Sequence, residues 1–104
     1  MNVDIGKIQV SNKSPLLLIA GPCVIESQAL AEEVAGYLQE ITQKLDIPFI
    51  YKSSFDKANR TSLKGQRGAG LKASLPVFDK IRKELDIPIL TDIHNAEQCS
   101  IVAN

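Results

Sequence analysis

The sequence predicts an α/β fold built from parallel βα units, on three observations. Apolar runs of strand length alternate with segments of helical periodicity. The segment Leu45-Asp46-Ile47-Pro48-Phe49-Ile50-Tyr51-Lys52 returns as Leu85-Asp86-Ile87-Pro88-Ile89-Leu90-Thr91-Asp92, offset by 40 residues, so one helix end, αβ turn and strand occur twice. The first strong apolar run, residues 16–20, is continuous rather than alternating and stops at Gly21-Pro22. A run of that kind fits a strand buried on both faces of a parallel sheet.

The elements follow in order. Residues 1–15 alternate weakly through Ile8 and Val10 to a turn cluster at residues 11–15, which predicts a short strand or half-hairpin. After the strand at 16–20, Ser27 is a natural N-cap. Leu30, Val34, Leu38, Ile41 and Leu45 then recur at helical spacing and predict the buried face of a helix. Gly36 lies inside it and costs about 1 kcal/mol relative to alanine, which suggests close packing there. Asp46-Ile47-Pro48 ends the helix, and residues 49–52 form the second strand. Leu71, Leu75, Phe78, Ile81 and Leu85 mark a second helix face. Pro76 belongs in a first turn, so the regular helix is expected to start near Ser74. Residues 89–93 form a third strand, and Asn95 is placed to cap a helix beginning at Ala96.

Composition narrows the function. The chain has 104 residues, twelve bases, twelve acids and 44% apolar residues, ordinary values for one globular domain or part of one. Three βα units cannot close a barrel of eight, which takes about 250 residues. The chain is therefore expected to be the N-terminal portion of a larger fold, partial over residues 1–104, rather than a half completed by another chain. Cys23 and Cys99 are far apart, forming neither a disulfide framework nor a CxxC metal pair, and a reducing cytoplasm is the simplest compartment. The N-terminus lacks the pattern of a signal peptide, and residues 16–20 are too few to span a membrane.

Charge is unevenly placed. Residues 52–67 hold Lys52, Lys57, Arg60, Lys64 and Arg67 against a single acid, Asp56. The alternatives are a solvated surface loop and a trap for a small, phosphorylated anion. Confinement of the positive charge to one loop argues against a broad nucleic-acid surface. The repeat sets Lys52 and Asp92 at equivalent strand ends, and Cys23 follows the first strand. The C-terminal strand ends are where α/β folds place active sites. Lys52 could bind a phosphate or carboxylate, form a Schiff base, or snorkel at a strand end. Asn59 could hydrogen-bond a hydroxyl or carbonyl. Cys23 reads either as a small buried hydrophobe or as a thiolate metal ligand. His94, the one histidine, has Asp92 two residues before it and suits acid–base chemistry or metal ligation, or is an ordinary loop histidine.

Ala20-Gly21-Pro22-Cys23-Val24-Ile25-Glu26-Ser27, the segment KSSFDKANRTS, Arg67-Gly68-Ala69-Gly70-Leu71 and Thr91-Asp92-Ile93-His94 occur in this order. Together they resemble the N-terminal part of the 3-deoxy-D-manno-octulosonate 8-phosphate synthases, over nearly the whole chain from Leu16. KSSFDKANR is the specific segment; Gly-Pro-Cys is shared with the sibling 3-deoxy-arabino-heptulosonate 7-phosphate synthases. The resemblance implies a (β/α)8 barrel, a homotetramer, and a transferase that condenses phosphoenolpyruvate with D-arabinose 5-phosphate and releases phosphate in lipopolysaccharide biosynthesis. It implies that Lys52 and Lys57 bind phosphoenolpyruvate and that Asn59, Arg60 and Thr61 contact arabinose 5-phosphate. It sets Asp92 and His94 at the reacting centre. It makes Cys23 a ligand of a divalent metal, because asparagine replaces this cysteine in metal-independent members. Thr61 stands where many members have serine, Ala69 where proline or histidine is usual, and Asn95 where glutamate is common. Residues 1–104 alone are expected to be inactive, and a non-catalytic phosphate-binding fragment is the reading from another class.

Overall fold

The computed structural model describes residues 1–56 and 70–103. The predicted sites Lys57, Asn59, Arg60 and Thr61, and the glycines and bases up to Ala69, lie outside the described residues. The elements are β1 (Val3–Ile5), β2 (Ile8–Val10), β3 (Leu18–Ala20), α1 (Gln28–Lys44), β4 (Phe49–Lys52), α2 (Leu71–Leu85), β5 (Ile89–Leu90) and α3 (Gln98–Ala103).

The predicted N-terminal element is a full hairpin. β1 and β2 pair antiparallel, with Ile5 opposite Ile8 and Gly6 at φ 58°, the backbone conformation glycine adopts without strain. The α/β core is a three-stranded parallel sheet in the order β3-β4-β5. Two consecutive steps to the neighbouring strand, each through a helix, are what repeated βα units require.

Strand parity divides the sheet into two faces. Leu18, Ala20, Phe49, Tyr51 and Ile89 share one face and join the hydrophobic core with α1 and α2. Ile25, Phe55, Val77, Phe78 and Ile81 complete that core. Burying each large side chain contributes about 1.5–3 kcal/mol. Ile19, Ile50, Lys52 and Leu90 share the opposite face. Here the expectation of a strand buried on both sides over residues 16–20 is corrected. The strand covers Leu18–Ala20, Ile19 is 48% exposed and Leu16 is 89% exposed. Both core helices lie on one face of the sheet, so only that face of β3 is covered by them.

Three further expectations change. The buried line of α1 is Ala31, Ala35 and Thr42, with Leu38 partly buried, while Leu30 and Leu45 are exposed. Leu38 of the predicted stripe packs against the core, Val34 and Ile41 are half-buried, and the fully buried positions lie one residue on, two of them at alanines. Gly36 does not mark close packing: a Cβ built there meets nothing within 4 Å. α2 begins at Leu71, three residues before the expected start, and Pro76 sits in its second turn. Its early start is anchored by Gly70, whose N–H donates to the Phe55 carbonyl (3.0 Å) and whose carbonyl accepts from Ser74 (3.0 Å). Pro76 is on the exposed side, where its missing N–H leaves the carbonyl of Lys72, an exposed residue, without its helical partner.

The caps explain the repeat. Ser27 Oγ accepts from Leu30 N–H (3.2 Å), as expected of an N-cap. Asp46 and Asp86, the shared aspartates of the two Leu-Asp-Ile-Pro segments, both take positive φ (55° and 51°). Each lies just past its helix, in the left-handed conformation that turns the chain into the next strand. Gln39 Nε2 donates to the Leu85 carbonyl (2.7 Å), and Lys80 pairs with Glu32 (2.8 Å), so α1 and α2 are tied at two levels.

Candidate active site

The C-terminal ends of the three parallel strands form one rim. β3 ends at Gly21-Pro22-Cys23, β4 at Lys52-Ser53-Ser54-Phe55, and β5 leads into Thr91-Asp92-Ile93-His94. Backbone bonds join the first two segments beyond the strands: Ser54 N–H donates to the Cys23 carbonyl (3.1 Å) and Ile25 N–H to the Ser54 carbonyl (2.9 Å). Ser53 Oγ donates to the Pro22 carbonyl (2.7 Å), and Ser53 N–H to the Leu90 carbonyl (3.2 Å). Residues 53 and 54 are thus stitched to both neighbouring strand ends. Gly21 lies where this rim is tightest: an added Cβ would stand 1.9 Å from the Lys52 carbonyl oxygen.

The polar groups gather on the third strand's side. Ser54 Oγ donates to Asp92 Oδ1 (2.5 Å), and Asp92 Oδ2 lies 3.0 Å from His94 Nε2. The His94 ring stacks on Phe55, centroids 5.2 Å apart and planes 25° apart. His94 N–H donates to Gln98 Oε1 (2.7 Å), while Gln98 N–H bonds Asn95 Oδ1 (3.2 Å). Asn95 therefore reaches the first residue of α3, but it is not the residue next to the helix that was expected, because α3 starts at Gln98 rather than Ala96. The third strand is also shorter than expected, Ile89–Leu90 instead of residues 89–93. Thr91 to His94 have left the ladder and are held by side-chain bonds instead.

The electrostatics follow from these contacts. The Ser54 hydroxyl holds the Asp92 carboxyl below its ordinary pKa, against a partial desolvation, with smaller help from His94 and the positive charge of Lys52. Asp92 is thus an anion at neutral pH, half-exposed at the rim, with Lys52 close enough to act on it. Burial pushes the Tyr51 phenol up, with a smaller opposing effect from Ser53.

Of the predicted site residues, Lys52, Asp92 and His94 come together at this rim. Lys52 is on the sheet face away from the helices. Cys23 is exposed at the neighbouring strand end. Among the described residues no group of three His, Cys, Asp or Glu side chains is placed to hold a metal ion. One thiol is too few for a catalytic metal site, which takes about three protein ligands. The described residues therefore do not by themselves fit the implied metal. Sequence reasoning missed Ser54 and Phe55. The signal for Ser54 was available: it shares the parity of Lys52, two residues on.

Comparison with known proteins narrows the identity. A 2-dehydro-3-deoxyphosphooctonate aldolase of Chelativorans sp. (strain BNC1) is 56% identical over 98% of this chain. The proteins of that name from Mesorhizobium japonicum and Brucella canis are 54% identical over 98% and 56% identical over 97%. The chain spans 37%, 37% and 36% of the length of these relatives. All of residues 1–104 match the DAHP synthetase I family. With parallel βα units and a polar rim at the strand ends, the chain belongs to the DAHP synthetase I family.

Proposed function

We propose that the whole protein condenses phosphoenolpyruvate with D-arabinose 5-phosphate and water, giving 3-deoxy-D-manno-octulosonate 8-phosphate and inorganic phosphate, for lipopolysaccharide biosynthesis. One observation carries it: identity of 54–56% over nearly the whole chain to proteins named 2-dehydro-3-deoxyphosphooctonate aldolase. The rim supports it chemically. Two phosphorylated anions must be brought face to face, and fixed cations supply proximity and offset their repulsion.

In this proposal Lys52 and Lys57 hold phosphoenolpyruvate, and Asn59, Arg60 and Thr61 hold the sugar phosphate. Asp92 and His94 stand at the reacting centre, where water adds to C2 of phosphoenolpyruvate and C3 attacks the sugar aldehyde. The three parallel strands are proposed as the first of eight in a (β/α)8 barrel, with the protein a cytoplasmic homotetramer. Among the described residues no helix is long and apolar enough to cross a membrane.

The family description keeps a sibling heptulosonate synthase as the second reading. Phosphate release by the full-length protein from phosphoenolpyruvate separates the two. Release is expected with arabinose 5-phosphate and not with erythrose 4-phosphate; the reverse preference would assign the sibling activity.

Cys23 is further proposed as a thiolate ligand of a divalent metal whose other ligands lie outside the described residues. Its exposure at the strand end suits a ligand better than a packing residue. Cys23→Asn in the full-length protein is expected to lower bound metal and sensitivity to chelators. Unchanged metal content would remove Cys23 from the ligand set.

A further inference from the structure

A carboxylate beside a histidine orients it only if the carboxylate is itself held. Asp92 lies beyond the end of β5, outside the ladder that would fix its backbone. Its two oxygens are used separately: Oδ1 accepts from Ser54, and Oδ2 meets His94 Nε2. The donor, Ser54, is one of the best-anchored residues at the rim. Its N–H is bonded to Cys23, its carbonyl to Ile25, and it forms a parallel bridge with Val24. The next residue, Phe55, is buried in the core and presents its ring to the face of His94. So Ser54 grips the carboxylate and Phe55 the imidazole plane, from one short segment of fixed backbone.

We propose that Ser54 is a positioning residue for the Asp92–His94 pair: by holding Oδ1 it fixes Oδ2 against the His94 ring, while Phe55 sets the plane of that ring. An ionised carboxylate only accepts hydrogen bonds. The shared proton therefore sits on His94 Nε2, facing Asp92 Oδ2. The Gln98 contact to His94 N–H fixes the remaining degree of freedom, the backbone of the loop. Ser54 acts through Asp92 and need not touch either substrate. The assignment rests on the proposal that Asp92 and His94 stand at the reacting centre.

The test uses steady-state kinetics of the full-length protein with phosphoenolpyruvate and arabinose 5-phosphate. Ser54→Ala is expected to lower kcat by on the order of 10- to 100-fold, the range a displaced catalytic group commonly costs. Both KM values should stay within about twofold, because the substrate-holding cations are untouched. Ser54→Thr, which keeps the hydroxyl, should restore most of kcat. In an Asp92→Asn background Ser54→Ala should add little, since the residue it positions is already altered. A thermal melt checks that each variant is folded. If Ser54→Ala does not fold, Ser54→Cys, similar in size and a weak donor, takes its place with the same expected loss. Three results would overturn the assignment: wild-type kcat in Ser54→Ala, equal losses in the Ala and Thr variants, or full additivity with Asp92→Asn. Retained activity in Asp92→Asn alone would instead remove the reaction-centre proposal, so the two failures are distinguishable.

Discussion

Gly21→Ala is expected to destabilise the full-length protein by about 3 kcal/mol or more, since among the described glycines it is the one where an added methyl meets other atoms. The reason is space rather than torsion. Gly21 is not one of the positive-φ glycines, Gly6 and Gly70. Its added Cβ would stand 1.9 Å from the Lys52 carbonyl oxygen, 2.9 Å from the Lys52 carbonyl carbon and 3.2 Å from Tyr51 Cε2. A side chain could rotate away from such a clash, but a strand backbone cannot. Relief requires β3 and β4 to separate at their C-terminal ends, where Ser53 and Ser54 bond Pro22 and Cys23. Overpacking a core costs 1–3 kcal/mol typically, and a backbone obstacle places this case at or above the top of that range. A denaturant midpoint measures it. Because Lys52 would move with the strand, KM for phosphoenolpyruvate should rise in whatever fraction still folds. A midpoint unchanged from wild type would mean that the two strands do not approach so closely.

Asp92→Asn carries the largest expected effect on activity. Asparagine keeps the shape but offers one acceptor oxygen where the carboxylate offers two. It can receive the Ser54 hydroxyl or the His94 ring N–H, but its amide nitrogen must then face the other as a donor. With that nitrogen toward the ring, His94 would be pushed to the opposite tautomer; with it toward Ser54, the hydroxyl would have to turn and accept. In both cases the negative charge beside Lys52 would vanish. A loss of about 10²–10⁴ in kcat is expected, the span associated with acid–base groups. Asp92 is 48% exposed, so the melting temperature should change little. Steady-state kinetics and a melt on the same preparation separate the two effects. A kcat within a few fold of wild type would place Asp92 outside the reacting centre.

The frame of this fold was legible because each signal had a single physical meaning. The Leu-Asp-Ile-Pro repeat located both αβ turns, and the left-handed Asp46 and Asp86 show why the same four residues recur. Ser27 capped where a short polar acceptor before an apolar period must cap. The face of α1 was misread because Leu30 and Ala31 begin two adjacent stripes of equal spacing. Large side chains made the first stripe look buried, whereas close approach to a sheet selects alanine. Gly36 was misread for the related reason that a helical glycine has no signature separating a close contact from open space. The start of α2 depended on a bond from Gly70 to Phe55, and nothing local to Pro76 could have shown it.

The candidate site divides in the same way. Asp92 and His94 were visible as a spaced pair, and Lys52 as a lone charge closing an apolar strand. Their meeting with Ser54 and Phe55 depends on the register that sets Lys52 opposite Leu90, a relation between strands that no local pattern encodes. Phe55 in a basic segment looked like part of a loop; it is a core residue whose ring also serves the rim.

The central claim is that the C-terminal rim of the parallel strands is where the two phosphorylated substrates meet. A crystal structure of the full-length protein with phosphoenolpyruvate and arabinose 5-phosphate bound tests it most directly. The expected result is phosphoenolpyruvate within hydrogen-bonding distance of Lys52 Nζ, with the sugar aldehyde on the side of Asp92 and His94. Substrates bound at the opposite end of the strands, beside Pro48 and Pro88, would contradict it.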